Sequence, residues 1–296
     1  MPELRADHPY SGMGVETQRT TETLEMIPRR IIQTGPPKLS MLLRAAMQTV
    51  RLLHPEFEYE FFDDTRVEAF IQDHFPKYRK VYDSFPYRIQ RYDFFRYLAV
   101  YRLGGFYLDL DVFLVRDLSP LLDSECVFPF EELTSIQYLW RQFRLDWQLG
   151  NYAFGAAPGN PFLEAVIENC VRAQSDPDWV RPMLKGIPHL FHKEFYVLNT
   201  TGPGLVTRTL GENRDLAAGV NVLFPEDVRE PKTWHHFGEF GVHDMAGTWR
   251  GKKSVLSARL LRLWDEWTLR RILSDAKGTG KTRTVDSNRE ALSTVR

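Results

Sequence analysis

"RIQRYDFFRYLAVYRLGGFYLDLDVFL" (residues 88–114) lies in a 296-residue chain and changes character halfway. Up to Leu103, apolar side chains recur around nearly the whole circumference of a helix, so this helix belongs inside the protein. Gly104 and Gly105 end it. The run that follows reads as a strand carrying two carboxylates, Asp109 and Asp111. Residues i and i+2 of a strand face the same way, about 6.6 Å apart. The two acids would therefore point together, with Leu108, Leu110 and Val112 on the other face.

Two ionised carboxylates that close repel, and burial adds to the cost. Either the pair marks a strand end at the surface, solvated or capping a turn, or the two acids share a proton, or a cation lies between them. A hard divalent ion such as Mg²⁺ or Mn²⁺ takes oxygen ligands and leaves positions for water and phosphate. Glycoside hydrolysis also uses two carboxylates, but from different sides of the sugar, so a shared face suits chelation better. Asp93 and Arg96 are i and i+3 on the preceding helix and share a face. They form a local salt pair, or they line a cleft beside the two aspartates. In the cleft, Arg96 would meet an anion or a sugar hydroxyl, and Asp93 a sugar hydroxyl or Arg96 itself.

Outward from this stretch the chain alternates strand and helix. "IPRRIIQTG" (27–35) is a β-branched run, and "SMLLRAAMQTVRLLHP" (40–55) a helix with Ser40 as N-cap and Pro55 as stop. "EFEYEFFDD" (56–64) is a strand and "TRVEAFIQDHF" (65–75) a helix. Later, "NYAFGAA" (151–157) is a strand, "NPFLEAVIENCVRA" (160–173) a helix capped by Asn160 with Pro161 at its first position, and Pro203 opens another helix. This rhythm is that of an α/β sheet with crossover helices.

Composition excludes some classes. Hydrophobic residues are 43%, charged residues 26% and the formal net charge is −1, so no field draws nucleic acid and none is expected as a partner. Two cysteines, Cys126 and Cys170, make no disulfide framework and suit a reducing compartment. Residues 1–26 are polar and read as a flexible arm. No run approaches about 18 uninterrupted apolar residues, so no membrane span is expected. In 251–277, Leu256, Leu260, Leu263, Trp264 and Trp267 share a helical stripe ringed by Lys252, Lys253, Arg259, Arg262, Arg270 and Arg271. Such a basic amphipathic helix packs on the domain or lies on an anionic bilayer. Residues 278–296 read as a disordered tail.

"FPYRIQRYDFFRYLAVYRLGGFYLDLDV" resembles the signature of glycosyltransferase family 32, the sugar-binding region containing the DxD motif. It looks most like the mannosyl-inositol-phosphorylceramide synthases, then the yeast-type initiating α-1,6-mannosyltransferases. Other segments fall in the family's order. "IPRRIIQTG" resembles its opening strand, with Ile32 where histidine is common. "HPEFEYEFFDD", "NYAFGAAPGNPFLEAV", "TTGPGLV" and "VHDMAGTW" resemble later motifs, with Thr248 in place of the usual serine. The likeness runs from about residue 27 to 250.

The resemblance implies a GT-A-type, Rossmann-like α/β domain over 27–250, with a mostly parallel mixed sheet flanked by helices. It implies a divalent metal cofactor, Mn²⁺ or Mg²⁺, and a nucleotide-sugar donor. Asp109 would face the sugar or ribose and the metal's water shell, and Asp111 would ligate the metal. His243 would complete the site, preferred over His235 and His236 for its distance to Trp249. Asp93 and Arg96 would meet the sugar. Gln33, Thr34, Asp63 and Asp64 would hold base and ribose, with Asn151 and Trp249 on the sugar or acceptor side. The implied activity is transfer of a hexose, mannose from GDP-mannose, with retention of configuration, onto a glycolipid or glycan acceptor. A UDP-glucose or UDP-galactose transferase, a nucleotide-sugar hydrolase and a non-catalytic binding module are the alternatives. The expected location is cytoplasmic, peripheral at the inner face of a membrane, with contact through 252–277.

Overall fold

A computed structural model of the chain describes residues 27–134 and 136–244. The arm over 1–26, the basic helix over 251–277, the tail over 278–296 and Trp249 all lie outside the described residues. No described helix is long and apolar enough to cross a membrane.

Strand β1 (Arg30–Thr34) leads to helix α1 (Met41–Leu53), where the Ser40 hydroxyl accepts from the Leu43 N–H at 3.3 Å, the cap expected from the sequence. β2 (Glu58–Phe62) and α2 (Asp64–His74) follow, with the Asp63 carboxylate capping at Arg66 N–H, 2.9 Å. After α3 (Arg79–Ser84) comes α4 (Arg88–Leu103), whose Phe94–Val100 stretch is buried throughout, as an all-round apolar helix must be. β3 (Gly105–Leu108) and β4 (Val112–Leu114) come next, then β5 (Cys126–Leu133), α5 (Gln137–Phe143), β6 (Trp147–Leu149) and β7 (Ala153–Ala156). Helices α6 (Pro161–Ser175), α7 (Pro177–Leu184), α8 (His192–Thr200), α9 (Pro203–Glu212) and α10 (Arg214–Ala217) precede β8 (Val220–Leu223), β9 (His236–Phe237) and β10 (Gly241–His243).

The main sheet has the order β2-β1-β3-β7-β5-β6, with β8 also paired to β5. β1 runs parallel to β2 and β3, and β8 parallel to β5. β7 is antiparallel to both β3 and β5, so β3 and β5 point the same way. β2, β1, β3, β5 and β8 thus share one direction, while β7 and β6 oppose it, giving a mixed sheet that is mostly parallel in orientation. Both faces are covered. Ile32, Tyr107, Phe128 and Phe154 pack one face against α4, α6 and α9. Ile31, Phe106, Leu108 and Val127 pack the other against α1 and β4. Each fully buried Phe contributes roughly 1.5–3 kcal/mol.

A second, antiparallel sheet, β4-β10-β9, joins below the end of β3. Its register sets His243 opposite Val112, the residue after Asp111. The α4–β3 junction needs its glycines. Gly104 has φ +67° and closes the helix; Gly105 has φ +100°, and a Cβ there would stand 2.6 Å from the Arg30 carbonyl oxygen.

The structure corrects one expectation. β3 stops at Leu108, and Asp109–Asp111 form a turn, not strand. The Asp109 N–H still donates to Tyr152 O at 2.7 Å, but its carbonyl accepts from Val112 N–H at 3.1 Å, closing a tight turn. The turn, not the two-residue period of a strand, brings the acids together.

Candidate active site

Asp109 and Asp111 stand at the C-terminal edge of the parallel strands, where α/β sheets bind ligands. β10 brings in His243, whose Nε2 lies 3.3 Å from Asp111 Oδ1. One ligand atom from each of Asp109, Asp111 and His243 falls within 4.8 Å of the others, the group of this kind found among the described residues. Their side chains are 25%, 19% and 15% exposed, so a small ion can reach them. The His243 ring stacks on Tyr152 at 4.4 Å between centroids, and its Nδ1 is buried with no hydrogen-bond partner. Two carboxylates and one imidazole suit a divalent ion of the Mn²⁺ or Mg²⁺ kind. The residues therefore fit the metal that the motif implies.

Asp93 and Arg96 lie beneath this pair, 4% and 3% exposed. Arg96 Nη2 is 3.1 Å from Asp93 Oδ1; its Nη1 donates to Asp109 Oδ2 at 3.1 Å and to the Asn151 carbonyl at 2.7 Å. Its guanidinium also sits over the Tyr107 ring, 4.6 Å from the centroid. The pair is salt-bridged on a buried face, and that face lies against the DXD turn: Asp93 holds Arg96, and Arg96 holds Asp109. The second Asp93 oxygen accepts from the Thr201 hydroxyl at 2.8 Å.

The electrostatics follow. Burial pushes Asp93 up to about 6, against the pull of Arg96 and the Thr201 hydrogen bond. Burial likewise raises Asp109, opposed by Arg96 and reinforced by Asp111. Burial works against the charge on Arg96, but Asp109, Tyr107 and Asp93 outweigh it and hold the guanidinium protonated. One fixed cation thus sits among carboxylates whose charge burial disfavours.

The remaining expected residues divide. Gln33 is fully buried; its Nε2 donates to the carbonyls of Leu108 and Asp109, each at 3.3 Å, and its Oε1 accepts from Tyr59 at 2.8 Å. It supports the turn from below. Thr34, next along β1, has a buried hydroxyl without a partner. Asp63 is the α2 cap. Asp64 is bound by Arg88 and Tyr92, whose hydrogen bonds override burial and lower its pKa. Asn151 donates to Asp93 at 3.3 Å and to the Tyr97 hydroxyl at 2.8 Å, so its amide faces inward.

Sequence reading missed three supports. The Tyr107 hydroxyl donates to Asp109 Oδ1 at 2.8 Å, Tyr152 stacks on His243, and Thr201 binds Asp93. Tyr107 stands two residues before Asp109, and its polar tip was the available signal.

Residues 41–128 match a family model described as the glycosyltransferase sugar-binding region containing DXD motif. Inositol phosphoceramide mannosyltransferase 3 of Schizosaccharomyces pombe is 38% identical over 120 residues, covering 40% of this chain and 30% of that protein. Inositol phosphoceramide mannosyltransferase 2 of the same yeast is 27% identical over 164 residues, covering 55% and 44%. The chain thus spans less than half the length of these relatives. Among solved structures, PaToxG Glycosyltransferase superposes with a TM-score of 0.45 and 14% identity, over 66% of this chain and 72% of that one. Asp109-Leu110-Asp111 has the D-x-D form and lies within residues 41–128, the part of the chain that is similar to this model.

Proposed function

We propose that the protein is a metal-dependent, retaining hexosyltransferase that moves mannose from GDP-mannose to a glycolipid or glycan. The observation that carries this reading is the gathering of Asp109, Asp111 and His243 above a buried Arg96. Asp111 and His243, with Asp109, would hold Mn²⁺ or Mg²⁺. Bound there, the ion supplies positive charge that stabilises a departing nucleoside diphosphate without proton transfer. Arg96 opposes the burial that disfavours the Asp109 charge and aims that carboxylate, and Asp93 keeps Arg96 from turning away. Gln33 fixes the height of the turn through two backbone carbonyls. The relatives' names supply the choice of mannose and of an inositol phosphoceramide acceptor. A lipid acceptor would set the work at a membrane surface on the cytoplasmic side, and the basic, tryptophan-bearing stripe of 252–277 suits that contact.

The test is product analysis with Mn²⁺, inositol phosphoceramide in mixed micelles and, in turn, GDP-mannose, UDP-glucose and UDP-galactose. Mannosylated lipid from GDP-mannose alone is the expected product. Transfer from a uridine donor would replace the mannosyl assignment, and free sugar without transfer to any acceptor would replace the transferase by a hydrolase.

A further inference from the structure

The large apolar side chains left on the surface are not scattered. Of the six exposed among the described residues, five lie on α1, β4 with the residue after it, or β10: Met41, Leu42, Leu52, Val115 and Val242. These elements cover the same face of the main sheet, with α1 alongside β4 and β4 paired to β10. Toward the core they bury Ala46, Val50, Val112 and Leu114. Successive residues of a strand point to opposite faces. Phe113 and Val115 therefore point outward, and Val242, opposite Phe113 in the register, points with them. On α1, Ala46 and Val50 face in, while Met41, Leu42, Ala45 and Leu52 stay exposed. Among the described residues nothing covers this outer face.

Its charge is one-sided along the helix. Residues 36–53 contain Lys38, Arg44 and Arg51 and no acid. None of the three cations forms an ion pair among the described residues. The nearby acids stand at the strand ends of the small sheet: Glu239, paired with Arg116 at 2.6 Å, Asp117, 3.5 Å from His54 Nε2, and Asp244. The face also borders the candidate site. Val242 precedes His243, Phe113 follows Asp111 by two residues, and Leu39 and Leu110 both lie against Gly35.

We propose that this face, α1 with the outer side of β4 and β10, seats on an anionic lipid bilayer. Met41, Leu42 and Leu52 enter the headgroup layer, and Lys38, Arg44 and Arg51 meet its anionic groups. Exposed apolar side chains interleaved with cations are the pattern of a helix lying in a membrane interface, and each cation near an anionic surface adds attraction. Two other occupants fit less well. A second copy related by a twofold axis would set these cations against their own mates. The 251–277 segment is itself basic and meets α1 with like charge. The inference stands on surface geometry and charge and goes beyond the transferase reading.

The experiment uses the full chain without metal or donor. It measures co-sedimentation with vesicles of phosphatidylcholine alone and of phosphatidylcholine with phosphatidylserine in a two-to-one ratio. Wild-type protein should bind the mixed vesicles and bind the neutral ones about tenfold more weakly, or less. Lys38→Gln/Arg44→Gln should weaken binding to mixed vesicles about twentyfold, or about fivefold per cation. Leu42→Gln/Leu52→Gln should weaken it about tenfold or more. All four side chains are exposed, so the melting temperature should hold. Wild-type binding by either double variant overturns the proposal and moves the contact elsewhere, as to 251–277. So does failure of the wild type to bind mixed vesicles, or a wild-type dimer in sedimentation velocity that Leu42→Gln/Leu52→Gln dissolves. With no donor or metal present, failure here leaves the transfer assay untouched, and failure of that assay leaves this result standing.

Discussion

At the residue scale, Arg96 explains how the site tolerates its acids. It is buried, charged and shared by Asp93, Asp109 and the Asn151 carbonyl. Removing it strands two carboxylates, and breaking a buried ion pair costs about 3–5 kcal/mol. Arg96→Met should therefore lower the urea midpoint strongly, a shift absent only if the pair were solvated. Asp93 gives a pH signature. Its folded-state pKa of about 6 lies above the ordinary 3.8. Between those values the folded protein holds a proton that the unfolded chain has released. Its contribution to stability is thus full at the acid end and is lost as pH rises through 6, at up to about 1.4 kcal/mol per unit. In metal-free protein, Asp93→Asn should flatten this decline in urea unfolding between pH 4 and 6, roughly the window of the shift. An unchanged slope would show that Asp93 does not carry it.

At the scale of elements, the helix over 88–103 and the caps Ser40 and Asn160 were legible because each rests on local rules: apolar periodicity, a side-chain acceptor, a proline at the first turn. The DXD segment was legible in composition but not in conformation. Its alternation looks like strand, and only the long-range bond to Tyr152 and the β10 partner make a turn there. β5 went unread because both its faces are buried and Pro129 interrupts it, which erases alternation. Asp93 read either as a sugar contact or as the partner of Arg96, and Asn151 as a sugar- or acceptor-facing group; only packing could show them bonded to Arg96 and Tyr97. Two glycines separate stability from site geometry. Gly105→Ala meets the Arg30 backbone at φ +100° and should cost about 1–3 kcal/mol or more in unfolding. Gly35→Ala meets only the tip of Leu110, 2.3 Å away, which lies between the two acids. It should depress Mn²⁺ affinity while changing the melting temperature less than Gly105→Ala does; the reverse order would mean that Leu110 does not set the turn.

At the scale of the molecule, two sheets divide the work. The main sheet delivers Asp109 at the end of β3, over the buried Arg96. The small sheet returns a segment from more than a hundred residues later to set His243 beside Asp111. Neither sheet alone assembles the three ligands, so the site reports on their docking. Binding of Mn²⁺ by wild type, Asp111→Asn and His243→Ala, measured by electron paramagnetic resonance, tests this account most directly. Each substitution should weaken binding by at least the roughly 10–100-fold that losing a mere supporting partner costs, with the fold retained. Equal Mn²⁺ affinity in all three proteins would contradict the assignment of the cluster as the metal site.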